Sequence, residues 1–220
     1  MDEVKRLRAA IAAYAHSDDP LVAASNFIAL CVAGNQPFYP LYVWWAVGDD
    51  RRTSLLTFLS TPFFLAIPLI ARRSSLAGRA MLPIVGIANT ILTAKAFGAE
   101  SGVELFLCPC AMIAGMALRA HERKIMLAIL GSAILAFAFV QRGLGTGLHV
   151  FSPAEYARFL SLNAWSVAGL TALVAAAIFQ RPGERRRPPT MNRATPFASI
   201  ALSISSTARP PDSPRWRRGR

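Results

Sequence analysis

Long apolar runs, six in all, are separated by short charged segments along this chain. A helix needs about 20 apolar residues to cross the roughly 30 Å hydrocarbon core of a bilayer. Backbone groups in hydrocarbon must find partners within their own segment, and these runs are too uniformly apolar for the alternating strands of a barrel. Apolar residues make up 54% of the chain and charged residues 16%, whereas soluble domains are about a quarter charged. The sequence therefore predicts an all-α, polytopic membrane bundle of about six transmembrane helices.

Start signals set the boundaries of the predicted helices. Asp19 precedes Pro20, which gives an acidic cap followed by proline at the first helical position. Ser152 and Glu155 form a capping box around Pro153, at the start of the last helix. The expected transmembrane helices are 21–47, 54–71, 80–97, 102–118, 125–141 and 152–180.

Two segments flank the predicted membrane domain, residues 20–180. Residues 1–19 place Val4 and Leu7 on an apolar stripe with basic residues beside it, which predicts an amphipathic cytoplasmic leader. A frayed polar segment is the alternative. Residues 181–220 contain ten Arg and seven Pro but only two acidic residues. Such a composition cannot bury a core, so a disordered, basic, proline-rich cytoplasmic tail is predicted.

The basic residues are distributed unevenly between the two sides of the predicted bundle. Fourteen Lys and Arg residues up to position 193 lie on the side of the N terminus. Five lie on the opposite side: Arg51, Arg52, Lys95, Arg142 and Arg158. The positive-inside rule then predicts cytoplasmic N and C termini, and a multi-pass protein of the bacterial inner (plasma) membrane is expected. The net charge of +12 is interpreted as cytoplasmic segments facing anionic lipid, and no nucleic-acid partner is expected.

Several polar residues lie in or beside the outward halves of the predicted helices. They form the candidate ligand-binding set: Asn35, Gln36, Asn89, Lys95, Glu104, His149 and Asn163. Ionisable groups at membrane depth are costly and tend to face a cavity or one another, which predicts an outward-facing pocket for a small ligand or ion, with Lys95 and Glu104 close enough to pair. In the alternative interpretation, Lys95 snorkels, Glu104 lies among the headgroups, and the asparagines bond across helices.

The cysteines offer a second candidate site. Cys108 and Cys110 flank Pro109 inside an apolar run, and this triplet resembles the metal-passing helix of copper-exporting P-type ATPases. Two thiolates suit a soft cation such as Cu(I). Cysteine is also a common small packing residue in apolar helices, and no phosphorylation motif or nucleotide domain accompanies the triplet. Packing is therefore favoured over metal binding.

Small residues recur at every fourth position of the last predicted helix. They are Ala164, Ala168, Ala172 and Ala176. Such a stripe lets another helix approach closely. Packing within the bundle is the favoured interpretation, and homodimerisation through this face is the alternative.

No catalytic motif is found in the sequence. A phosphate-binding glycine loop, a zinc motif and a nucleophile elbow are all missing, and His16, His121 and His149 lie in separate segments. Neither an enzyme nor a cofactor is expected.

Two stretches carry a resemblance to a known class of protein. Gly102-Val-Glu-Leu-Phe-Leu-Cys-Pro109, followed by Leu118-Arg-Ala-His-Glu-Arg-Lys124, resembles the six-helix membrane input modules of bacterial nucleotide cyclases, diguanylate cyclases and histidine kinases. The resemblance covers about residues 20–180. It implies a membrane-embedded sensory or regulatory module, and since no output domain follows the last helix here, a separate cytoplasmic effector. The alternative function is a small transporter or permease with a polar site in the outer half of the bundle.

Overall fold

The computed structural model describes residues 2–48 and 51–179. Within these ranges the regular secondary structure is entirely helical. The α-helices are α1 Asp2–Ala15, α2 Pro20–Asn35, α3 Tyr39–Ala46, α4 Arg51–Ser54, α5 Thr61–Arg73, α6 Ser75–Phe97, α7 Leu107–Ala117, α8 Arg123–Arg142 and α9 Pro153–Phe179. The all-α prediction is confirmed for this part of the chain. The predicted disordered tail, residues 181–220, lies outside it.

Five continuous helical stretches in the described ranges are long and apolar enough to cross a membrane. They are Pro20–Ala46, Leu55–Arg73, Ser75–Phe97, Ala120–Arg142 and Pro153–Phe179. The remaining predicted span, 102–118, is a 3₁₀ turn of four residues followed by the eleven-residue α7. At about 1.5 Å per α-helical residue and about 2.0 Å per 3₁₀ residue, it is roughly 24 Å long, less than the hydrocarbon thickness.

Local signals explain the observed boundaries. The Ser152 capping box is formed, with the Ser152 backbone N–H donating to Glu155 Oε2 at 2.7 Å and the Glu155 N–H donating to Ser152 Oγ at 3.3 Å. The third membrane helix begins earlier than the predicted residue 80, because Ser74 Oγ accepts from the Ala77 N–H at 3.2 Å and caps α6. Arg79, expected in a loop, therefore lies inside α6 and is buried. Gly102, at φ +75°, supplies the left-handed turn that leads into Val103–Phe106.

Successive long helices run antiparallel between two ends of the bundle. At one end, called the Asp19 end, Ser75 Oγ donates to Asp19 Oδ2 at 3.0 Å and Arg79 donates to the carbonyl of Ala117 at 2.8 Å. At the other, called the Phe97 end, Phe97 packs with Val43, Val103, Val140 and Phe159. The segment Val103–Ala117 thus connects the two ends, as the longer helices do.

Helix α6 occupies the centre of the bundle and contacts α2, α5, α7 and α8. Two glycines permit these contacts. A Cβ at Gly78 would lie 2.4 Å from Ala71 Cβ, and one at Gly86 would lie 2.6 Å from Cys110 Sγ. No real Cβ contact is that short, so α5 and α7 approach α6 as closely as they do only because these positions lack a side chain.

The alanine stripe of α9 does not pack within the bundle, contrary to the favoured interpretation. Ala164, Ala168, Ala172 and Ala176 are all exposed. The buried face of α9 carries Phe159, Asn163, Val174 and Ile178 instead. Larger apolar side chains and a buried amide hold this helix against its neighbours, and the small residues face outward.

Candidate functional site: a cavity between the membrane helices

A cavity of about 460 Å³ lies between α2, α5, α6, α7 and α9. Small-molecule sites in proteins commonly have volumes of about 300–1,000 Å³. Three of the candidate residues, Asn35, Gln36 and Asn89, line it. The predicted polar cluster is therefore partly assembled around one space.

The helix break between α2 and α3 supplies the first polar wall. Pro37 and Pro40 remove backbone donors, and the chain passes through a 3₁₀ turn, Gln36–Phe38, before α3 begins. Gln36 is buried here and donates from Nε2 to Ser60 Oγ at 2.7 Å. Tyr39, one turn further, also lines the cavity. The break thus places an amide and a phenol at the wall of the cavity.

Helix α6 supplies the second polar wall. Gly86, Asn89, Thr90 and Thr93 all line the cavity, at the spacing of one helical face. Thr90 donates its hydroxyl hydrogen to the carbonyl of Gly86 at 2.9 Å, and Thr93 donates to that of Asn89 at 2.8 Å. Asn89 Oδ1 is buried and has no hydrogen-bond partner within the described chain. This wall therefore offers oxygen acceptors to the cavity.

Much of the remaining cavity lining is apolar. Its lining comes from five elements: Ile28, Phe64, Leu82, Ile113, Leu170 and Leu173. Ile28, Phe64, Leu82 and Ile113 also belong to the main buried core cluster. The cavity thus borders the core of the bundle and is also lined by polar groups.

Asn163, another candidate residue, supports the cavity from behind. It is fully buried, its Oδ1 accepts from Tyr39 Oη at 3.0 Å, and its Nδ2 donates to the carbonyl of Ser101 at 2.9 Å. Ser101 Oγ in turn donates to the carbonyl of Gly98 at 2.6 Å. Asn163 therefore fixes Tyr39 and connects α9 to the turn between α6 and α7.

The remaining candidates lie away from the cavity. Lys95 Nζ donates to the carbonyls of Leu144 at 3.1 Å and Thr146 at 3.0 Å. Glu104 Oε1 accepts from Gln141 Nε2 at 3.3 Å. The expected pairing of Lys95 with Glu104 is therefore wrong, because each side chain is engaged by the α8 end or the loop that follows it.

His149 is exposed and stays outside the cavity lining. Its ring meets the ring of Phe151 edge-on, with 4.5 Å between centroids. Of the seven candidate residues, the structure thus brings three to the cavity and one to its immediate support.

The two cysteines of the Cys-Pro-Cys triplet are in different environments. Cys110 is buried, contacts the Gly86 position and lines the cavity, whereas Cys108 is exposed. Cys31 is half-buried and also lines the cavity. Among the described residues no three His, Cys, Asp or Glu side chains are close enough together to hold a metal ion.

A charge network at the Asp19 end was not predicted. Arg79 donates to both carboxylate oxygens of Glu122, at 2.7 and 2.6 Å, with both side chains buried. Glu122 also accepts from the Arg119 backbone N–H at 2.7 Å, and the Arg119 side chain pairs with Asp19 at 2.7 Å. Partial burial raises the pKa of Asp19, but hydrogen bonds from Ser75 and Leu21 and the nearby Arg119 charge outweigh it, so this pKa is lowered.

Sequence reasoning also missed several cavity residues. Thr90 and Thr93 were not singled out, although with Gly86 and Asn89 they follow the i, i+3, i+4, i+7 pattern of one helix face. Tyr39 was not among the candidates either. The available signal was its position between two prolines, where a helix break turns side chains inward.

The fold and the cavity place this chain in the class of polytopic helical membrane proteins. No family model matches the sequence, and no curated protein or solved structure is significantly similar to it.

Proposed function

We propose that this protein is a sensory or regulatory module of the bacterial inner membrane that binds a small molecule in its central cavity. The observation that carries the proposal is the cavity itself, a space of about 460 Å³ lined by amide and hydroxyl groups together with core side chains. Small-molecule sites in proteins commonly have this volume and this mixture of apolar lining and a few polar groups.

In this proposal the bundle crosses the membrane six times. The segment Val103–Ala117 supports this count, because Val103 packs at the Phe97 end and the Ala117 carbonyl binds Arg79 at the Asp19 end. An even number of crossings leaves α1 and the end of α9 on one side. The excess of Lys and Arg in the segments on that side favours the cytoplasm.

Helix α9 is the proposed route from the cavity to an effector. Ser166, Gly169 and Leu170 line the cavity, and Asn163 binds Tyr39, which lines it as well. Further along, Ile178 packs with the core near the Asp19 end. A ligand that shifts α9 would therefore move its cytoplasmic end, which a separate effector can read.

The test is a thermal-stability screen of small molecules on three proteins reconstituted in nanodiscs: the natural chain, Gly169→Leu and Gly115→Leu. Both glycines are in helices, and a Cβ at either meets no atom within 4 Å, but only Gly169 lines the cavity. A cavity ligand should stabilise the natural chain and Gly115→Leu, by about 2.7 kcal/mol at 100 times Kd, and should not stabilise Gly169→Leu. A screen in which every stabilising compound acts equally on all three proteins would contradict the proposal.

Transport of the same ligand is the second candidate function. The buried Arg79–Glu122 pair closes the Asp19 end of the bundle, while a broken helix borders the cavity, as in many transporters. Uptake of a screened ligand by proteoliposomes distinguishes the two. Accumulation that depends on the protein and is lost in Gly169→Leu favours transport, and binding without uptake favours sensing.

A further inference from the structure

We propose that the ligand of the central cavity is an uncharged amphipathic molecule that donates a hydrogen bond to the α6 wall, at Asn89, and buries an apolar body against the core. This inference rests on the proposed function, because it names the chemistry of the ligand for the same cavity.

The first argument is charge. Within the described chain, the cavity lining contains no Asp, Glu, Lys, Arg or His. Lys95 and Glu104 lie outside the lining, where Lys95 donates to the carbonyls of Leu144 and Thr146, and Glu104 Oε1 accepts from Gln141. A charged ligand would lose its hydration in the cavity and find no group of opposite charge there. Burying an unpaired ion in this way is strongly unfavourable. The lining therefore selects for a neutral molecule.

The second argument is the set of hydrogen-bond acceptors on the α6 wall. The hydroxyl hydrogens of Thr90 and Thr93 are used on carbonyls of their own helix, so their oxygens face the cavity as acceptors. The Tyr39 hydrogen is used on Asn163. Asn89 Oδ1 is buried and lacks a partner within the described residues. A buried polar atom without a partner is unfavourable, so a ligand with an N–H or O–H group gains binding energy by supplying one.

The third argument is the distribution of polar and apolar side chains along the cavity. Asn89 lies about two turns beyond Leu82 in α6, so the polar and apolar parts of this wall are separated along the helix. Phe64 and Leu170 add to the apolar lining. A small polar molecule such as a sugar would place hydroxyls against these side chains without partners. A ligand with one polar end and an apolar body can contact both the polar and the apolar parts of the lining.

Four indole compounds form the test series. Indole is neutral and has one N–H donor, 1-methylindole is neutral and lacks it, indole-3-acetate is an anion, and tryptamine is a cation at neutral pH. The readout is the rate at which a small neutral methanethiosulfonate reagent modifies Cys31, which lines the cavity, in nanodiscs of the Cys108→Ser/Cys110→Ser protein. The control thiol is Cys108, exposed and outside the cavity lining, in the Cys31→Ser/Cys110→Ser protein.

We expect indole to protect Cys31 with about fivefold higher affinity than 1-methylindole, the ratio that one net hydrogen bond provides, and the two ions not to protect it. Cys108 should react at the same rate throughout. In Asn89→Leu, which keeps the side-chain size but removes the acceptor, the advantage of indole over 1-methylindole should disappear while 1-methylindole protects as before. That unchanged 1-methylindole protection shows that the variant has kept its cavity.

Three results would overturn the inference: equal protection by indole-3-acetate or tryptamine, an indole preference that survives in Asn89→Leu, or no protection by any of the four compounds. Each leaves the proposed function to its own test, because the stability screen can still find a ligand that Gly169→Leu rejects. Conversely, a screen that finds no cavity-dependent compound, together with no Cys31 protection, removes both proposals.

Discussion

Removing one partner of the buried ion pair between Arg79 and Glu122 is expected to destabilise this bundle more than most single substitutions. Their side chains are 1% and 7% exposed, and two hydrogen bonds of 2.6 and 2.7 Å join them. Glu122→Gln keeps the side-chain size but leaves the Arg79 charge buried without a counter-charge. Breaking a buried pair in this way costs about 3–5 kcal/mol.

The matched control is Arg119→Gln, which breaks the other ion pair at the same end of the bundle. The Arg119 side chain is 46% exposed and binds Asp19. Solvent screens such a pair, so its loss should cost at most about 1 kcal/mol. Asp19 keeps its hydrogen bond from the Leu21 N–H, so the cap of α2 survives in this variant.

Unfolding in mixed micelles with increasing sodium dodecyl sulfate, followed by tryptophan fluorescence, measures both free energies. The double variant Arg79→Met/Glu122→Leu completes the experiment, because replacing both partners by apolar groups removes the unpaired charge and should recover most of the loss. If Glu122→Gln and Arg119→Gln lower the free energy of unfolding equally, the pair is hydrated and its assignment as a buried closure is wrong.

Three other predictions concern topology and packing. Thr146 and His121 are exposed at opposite ends of the bundle. A cysteine introduced at position 146 should react with an impermeant maleimide in intact cells, whereas one at position 121 should react only after permeabilisation. The reverse pattern would mean that the orientation is inverted. Gly86→Ala should lower the free energy of unfolding by about 1–3 kcal/mol, because its Cβ would lie 2.6 Å from a cysteine sulfur, and thermal stability in detergent measures it. Ala168→Leu should change the free energy of unfolding of the monomer by less than about 0.5 kcal/mol, because Ala168 is exposed. Ala175→Leu, at a half-buried position, should lower it more. A larger loss for Ala168→Leu in a dissociated monomer would mean that the alanine stripe packs inside the bundle.

The fold was predictable to the extent that apolar length and capping determine it. Hydrocarbon requires continuous helices, and the signals at Asp19 and Ser152 mark real helix starts. The predicted start of α6 was too late, because hydropathy alone assigns a charged residue such as Arg79 to a loop. Its partner Glu122 lies 43 residues away in sequence. Only the folded arrangement of α6 and the turn between α7 and α8 shows that this charge is neutralised inside the protein.

The cavity was half predictable. Asn35, Gln36 and Asn89 were found because amides are conspicuous in an apolar helix, and amides inside a membrane need partners. Lys95 has a chain long enough to reach backbone carbonyls beyond its own helix, so its position on the sequence did not reveal its partner. The alanine stripe was assigned to the wrong side of α9, because a period of four identifies a face but not what that face contacts.

The shortness of α7 has a consequence for how the protein is made. A segment of eleven α-helical residues and a preceding 3₁₀ turn is a poor substrate for insertion on its own hydrophobicity. It contacts α6, which precedes it, and α8 and α9, which the ribosome delivers later. In the proposed arrangement of six crossings, its membrane insertion should therefore be completed only when α8 and α9 have emerged, and chains arrested before then should expose α7 to the quality-control proteases of the cell.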